Sequence, residues 1–102
     1  MADRIVVGRV RSPYGIHGWV WMDSFTDNPV SVFEWVPWIL TRGADRTGKR
    51  TAIERIDTAP ETWRLLDKGY IVKLVGCSDR TSVELLVNCL IEVDKSHLPQ
   101  LG

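Results

Sequence analysis

Two cysteines and two histidines are all that the 102 residues contain, and that scarcity excludes a good deal. Cys77 and Cys89 form no C-x-x-C or Cys/His cluster, and two thiols are too few for a disulfide scaffold or a closed zinc site, so both read as reduced, core or half-buried residues. Charge of one sign is missing too: thirteen Lys plus Arg balance thirteen Asp plus Glu. A domain that holds nucleic acid by bulk charge is therefore not expected, and any RNA contact must be local. No run of about 18 apolar residues occurs, and Met1-Ala2-Asp3-Arg4 leads into no long apolar h-region, which leaves secretion and membrane insertion unsupported and makes a cytoplasmic protein the expectation. Metalloprotease helix, P-loop, G-x-S-x-G elbow and G-x-G-x-x-G fingerprint are all absent, so no cofactor is expected.

What is present is 44% hydrophobic and 25% charged residues, the balance of one soluble globular domain, with five tryptophans supplying much of the packing material. Arg4 to Arg11 is rich in β-branched residues and reads as a strand closed by Ser12-Pro13. Gly15 and Gly18 allow a tight reversal into Trp19-Val20-Trp21-Met22-Asp23, a hairpin. Asp27 or Asn28 is placed to cap a turn or two of helix begun by Pro29. Trp35 to Thr41 is a second extended run, with Pro37 at a strand start or an edge. Thr51 to Asp57, Thr62 to Leu66 and Tyr70 to Val75 follow as strands in two hairpins, the last across Asp67-Lys68-Gly69. The period then changes, for Val83, Leu86 and Val87 stand at helical spacing. Thr81 with Glu84 matches a capping box, with Ser78 and Asp79 as other caps. Cys89 to Val93 closes the domain as a strand. Six or seven short strands and one helix predict a mainly β fold, a small closed six-stranded antiparallel barrel with one short capping helix.

Few residues invite chemistry. His17, between turn glycines, reads as a solvated loop histidine before a catalytic base, and Asp27 and Asp79 fall where capping explains an acid. No catalytic or metal-binding residue is assigned. Two features stand out as binding candidates. Trp19 and Trp21 share one strand face with Asp23, opposite Val20 and Met22, and polarity alone does not say which face is the core; if the indoles point outward, they form an aromatic patch of the kind enriched at protein interfaces. The Arg42 to Arg50 loop carries Arg42, Arg46, Lys49 and Arg50 against Asp45 alone, and either meets RNA phosphates or is a solvated charged loop. The candidate binding residues are thus Tyr14, His17, Trp19, Trp21, Arg46, Lys49 and Arg50.

Gly8-Arg9-Val10 with Pro13-Tyr14-Gly15-Ile16-His17-Gly18-Trp19-Val20, then Ser24 to Pro29, then Leu74-Val75-Gly76-Cys77-Ser78-Asp79-Arg80-Thr81-Ser82-Val83-Glu84-Leu85-Leu86, resemble the N-terminal domain of the ribosome maturation factor family RimM. The resemblance implies a barrel akin to those of translation factors and reductases, over residues 1–95, with 96–102 opening a linker to a C-terminal PRC-type barrel beyond this sequence. It implies a non-enzymatic role in late assembly of the small (30S) ribosomal subunit head and 16S rRNA processing, exerted by binding. The implied partners are the immature small subunit and its ribosomal protein number nineteen, the latter mainly through the C-terminal barrel, with a local rRNA contact possible from this domain. It also implies that Trp19 and Trp21 lie outside the barrel. Two readings from other classes stand beside it: a flavin- or nucleotide-binding reductase-like barrel, which rests on fold analogy, and a plain oligomerisation domain using the Trp19 and Trp21 face.

Overall fold

Seven strands built from these apolar runs join in a single antiparallel sheet. The computed structural model describes residues 3–43 and 52–97. The strands are β1 (Arg4–Tyr14), β2 (Trp19–Ser24), β3 (Trp38–Arg42), β4 (Ile53–Thr58), β5 (Pro60–Leu66), β6 (Gly69–Leu74) and β7 (Leu90–Asp94), in the spatial order β4-β3-β7-β1-β2-β6-β5. A 3-10 helix, Pro29–Glu34, follows β2, helix α1 (Arg80–Glu84) follows β6, and a 3-10 turn, Lys95–His97, follows β7.

The mainly β architecture with one short helix is as the sequence predicts, but the hydrogen-bonded ladder does not close on itself, because β4 and β5 are its two ends. They are also neighbours in the chain, separated only by Ala59. One residue cannot reverse a chain, since the tightest hairpins need two. The expected hairpin between these strands is therefore a continuous extended segment that leaves the β3 ladder and enters the β6 ladder, and the ring is completed by covalent continuity at Ala59. The Ala59 carbonyl accepts from Val75 N–H at 2.9 Å, and Thr58 Oγ1 donates to Val75 O at 3.0 Å, fixing the crossover to the end of β6.

β1 also runs further than expected, through Pro13 to Tyr14. A bulge between Val10 and Ser12 adjusts its register to β2, and Pro13 lies opposite Val20. Pairing with β7 stops at Arg9 opposite Leu90, so Pro13 has a strand on one side only and its missing N–H costs no ladder bond there.

Alternation places Val10, Val20, Met22, Val72 and Leu74 inside, with Leu40, Ile91 and Val93 from the other half of the sheet. Trp38 is the largest wholly buried side chain, and its Nε1–H donates to Val32 O at 2.9 Å, which satisfies the indole and ties the 3-10 helix across one end of the barrel. That helix starts as expected, with Asn28 in the cap position and Pro29 next, although the Asn28 side chain makes no capping bond. Phe33 stacks on Trp63 at 4.4 Å with a 5° interplanar angle and lies 5.8 Å from Tyr70, so aromatics fill the space beside the unpaired edge of β5.

Helix α1 closes the other end through buried Val83, with Leu86 just beyond it. Of the alternative caps, Asp79 is used: its Oδ1 accepts from Ser82 N–H and Ser82 Oγ, both at 2.8 Å. These bonds favour the carboxylate and hold Asp79 below the usual range of its pKa. Cys77 and Cys89 are both buried and form no disulfide. Burial pushes the Cys77 thiol up, away from the reactive thiolate.

Candidate functional site

The β1–β2 turn, Gly15 to Gly18, is what orients the candidate side chains. Gly15 and Gly18 have φ of 67° and 92°, a region that L side chains rarely adopt. Gly18 has a second constraint: a Cβ there would lie 2.5 Å from the Cys77 carbonyl oxygen. The turn is thus seated against the segment that leads into α1, and the glycine of the motif serves the fold.

From this turn β2 leaves with Val20 and Met22 inward and Trp19 and Trp21 outward, which resolves the ambiguity of polarity. The two indoles are half-buried, not freely displayed. Register explains what covers them. Trp21 lies opposite Ile71 of β6, which lies opposite Arg64 of β5, while Tyr14 of β1 lies opposite Trp19. Ile71 points outward yet is only 3% exposed, because side chains of the neighbouring strands bury it from outside the barrel. Tyr14 meets Trp21 edge to face at 5.3 Å, and the Arg64 guanidinium stands 6.0 Å from the centroid of the Trp19 ring, within reach of a cation–π contact.

These residues surround a surface groove of about 480 Å³, bounded by the turn, by Trp19 and by Arg64 and Leu66 of β5, with Ile71 among its lining. Tyr14, His17 and Trp19 are thereby brought together, and Trp21 supports them from the next outward position on β2, against Tyr14. Arg46, Lys49 and Arg50 lie outside the described residues. Arg42, the first cation of that loop, donates through Nη1 to Leu85 O and Val87 O, both at 2.9 Å, so it binds carbonyls just past α1.

Arg64, Leu66 and Ile71 went unrecognised in sequence because they are 45 or more positions from Trp19 and join it only through the β2-β6-β5 pairing. A weak signal was available in the alternation Trp63-Arg64-Leu65-Leu66, which puts Arg64 and Leu66 on one face. Among the described residues, no group of three His, Cys, Asp or Glu side chains is disposed to hold a metal, and no helix is long and apolar enough to cross a membrane.

Comparison with known proteins bears on what carries this groove. The family model for the RimM N-terminal domain matches residues 5–98. The ribosome maturation factor RimM of Vibrio cholerae serotype O1 is 38% identical over 100 residues, covering 98% of this chain and 50% of that protein. RimM of Enterobacter sp. (strain 638) is 39% identical over 99 residues, covering 97% of this chain and 51% of its own. The chain thus spans about half the length of these curated relatives. Among solved structures, a 16S ribosomal RNA processing protein RimM from Pseudomonas aeruginosa superposes with a TM-score of 0.79 at 29% identity, covering 98% of this chain and 56% of the other. The N-terminal domain of RimM from Thermus thermophilus shares the fold, with a TM-score of 0.67 at 22% identity over 98% and 99% of the two chains. With one family model spanning the barrel from Ile5 to beyond β7, the chain belongs to the RimM family, as its N-terminal domain.

Proposed function

We propose that this domain is the N-terminal binding module of a ribosome maturation factor that works in the cytoplasm on the immature small subunit, assisting late assembly of the 30S head and 16S rRNA processing without bond-making chemistry. The observation that carries the reading is a coincidence of place. The Pro13 to Val20 stretch, on which much of the family resemblance rests, is also the stretch that builds the turn and one wall of the exposed groove. A binding module assists assembly only by holding one rRNA conformation more tightly than another. On this reading, contact with ribosomal protein number nineteen belongs chiefly to a PRC-type barrel following residues 96–102, and the groove face belongs to this domain.

Sucrose-gradient sedimentation of the full-length parent with immature and with mature small subunits tests the proposal. Co-sedimentation with immature particles, weaker with mature ones, is expected. A parent that travels with neither would refute it.

A further inference from the structure

The groove has a chemical character that the ribosome-binding reading does not by itself supply. Across the outer face of β1, β2, β6 and β5 stand Arg9, Arg11, Arg64 and Lys73 against Asp23 and Glu61, so this face is cationic although the whole chain is neutral. Asp23 is shared between Arg9 and Arg11, and Glu61 holds Lys73. Arg64 has no carboxylate partner among the described residues. It is instead set over an indole, at the edge of an apolar groove of about 480 Å³. An apolar lining with buried Ile71 in it, aromatic rings on adjacent strands and one unpaired planar cation match the two halves of a nucleotide. Bases stack on aromatic rings and on guanidinium planes, while phosphates pair with arginine.

We propose, resting on the ribosome-binding reading, that this groove takes one unstacked nucleotide of single-stranded RNA, its base against the Tyr14 and Trp19 side of the groove and its phosphate at Arg64. The cation surplus favours this anionic ligand over an apolar protein segment, and a duplex, whose bases are stacked away, does not fit. Recognition is then local, as a chain of zero net charge requires. Sequence preference is weak, because stacking accepts any base.

The test uses the 102-residue chain and an unstructured, fluorescently labelled oligoribonucleotide of about eight residues, followed by anisotropy at several salt concentrations. Saturable binding at low salt is expected for the single strand, with at least tenfold weaker binding for the same sequence as a duplex and for an acidic peptide. Arg64→Glu should weaken single-strand binding at least tenfold. Arg64→Ala should flatten the plot of log affinity against log salt by about 0.7, the loss of one single-strand phosphate contact. Trp19→Phe keeps an apolar cover over Ile71, and the indole N–H resonance that it removes from the NMR spectrum identifies Trp19. That resonance should move on RNA addition in the unaltered chain. No single-strand binding at low salt, equal binding by Arg64→Glu, tighter binding of the peptide, or an unmoved Trp19 signal would each overturn the proposal. If the parent still sediments with immature subunits while any of these occurs, the groove assignment fails and the ribosome-binding reading stands.

Discussion

Replacing Gly18 with alanine separates two costs that usually arrive together, and Gly15 is its internal control. Both glycines sit at positive φ, 67° at Gly15 and 92° at Gly18, so alanine at either position costs roughly 1–2 kcal/mol in backbone strain. At Gly15 the new Cβ meets nothing within 4 Å, and the strain is the whole effect. At Gly18 it would stand 2.5 Å from the oxygen and 2.8 Å from the carbon of the Cys77 carbonyl. Both are backbone atoms leading into α1, which cannot rotate away as a flexible side chain would. Moving them adds a packing cost of about 2 kcal/mol, in the range for forced insertion of a methyl group. Gly18→Ala should therefore lose about 3–4 kcal/mol and Gly15→Ala about 1–2 kcal/mol. For a domain of this size the gap of about 2 kcal/mol corresponds to a difference in Tm of roughly 8–16 °C. Urea denaturation with unchanged slopes, together with a thermal melt, measures both variants. Equal losses, or a greater loss at Gly15, would refute the claim that the turn is braced against the Cys77 segment.

Truncating Trp19 and Trp21 together to alanine uncovers Ile71 and should lower stability by about 2–3 kcal/mol, well beyond the ±0.5 kcal/mol of an ordinary surface change; an unshifted denaturation midpoint would show that the indoles cover nothing of value. Trp38→Phe removes one of the two donors to the Val32 carbonyl, which keeps the Trp35 N–H at 3.3 Å, and opens a small void in the core, for a loss of about 1–3 kcal/mol by urea unfolding. Asp79, whose folded-state pKa is depressed by its bonds to Ser82, stabilises the protein above the unfolded carboxylate value near 4, and that contribution disappears as pH falls through the lower folded value. Asp79→Asn keeps a capping side chain without the titration, so its stability should fall less steeply than that of the unaltered chain as pH drops below about 4. Identical acid limbs in the two melts would contradict the capping account.

Much of this architecture is written in short-range pattern. The inward set Val20 and Met22 and the outward pair Trp19 and Trp21 follow from strand alternation once the core face is known, and the helix near Val83 announces itself by its change of period. The choice of Asp79 over Thr81 as cap, by contrast, turns on where the chain bends after Gly76, which the local residue types leave open. The Ala59 crossover escaped for a similar reason: two strand signals in succession look the same whether the chain reverses or continues, and only the shortness of the junction forbids reversal. The groove was half legible. Tyr14, His17 and Trp19 lie within one motif, whereas Arg64, Leu66 and Ile71 reach it by pairing between distant strands. Ile71 is the clearest instance, an outward residue that composition would assign to the core and that is buried all the same, from the far side.

The first strand lies between β2 and β7, so its second neighbour is a segment more than eighty residues further along. During synthesis β1 can find β2 at once, but Val6 and Ile5 must wait for Glu92 and Val93, nearly the last of the barrel to be made. Until then β1 and β3 each have a bare flank, and the sheet is in two pieces, β4-β3 and β1-β2-β6-β5. Native structure should thus arrive in a single late step, and a nascent chain stopped before Leu90 should remain open to proteolysis however much of β1 to β6 it already carries.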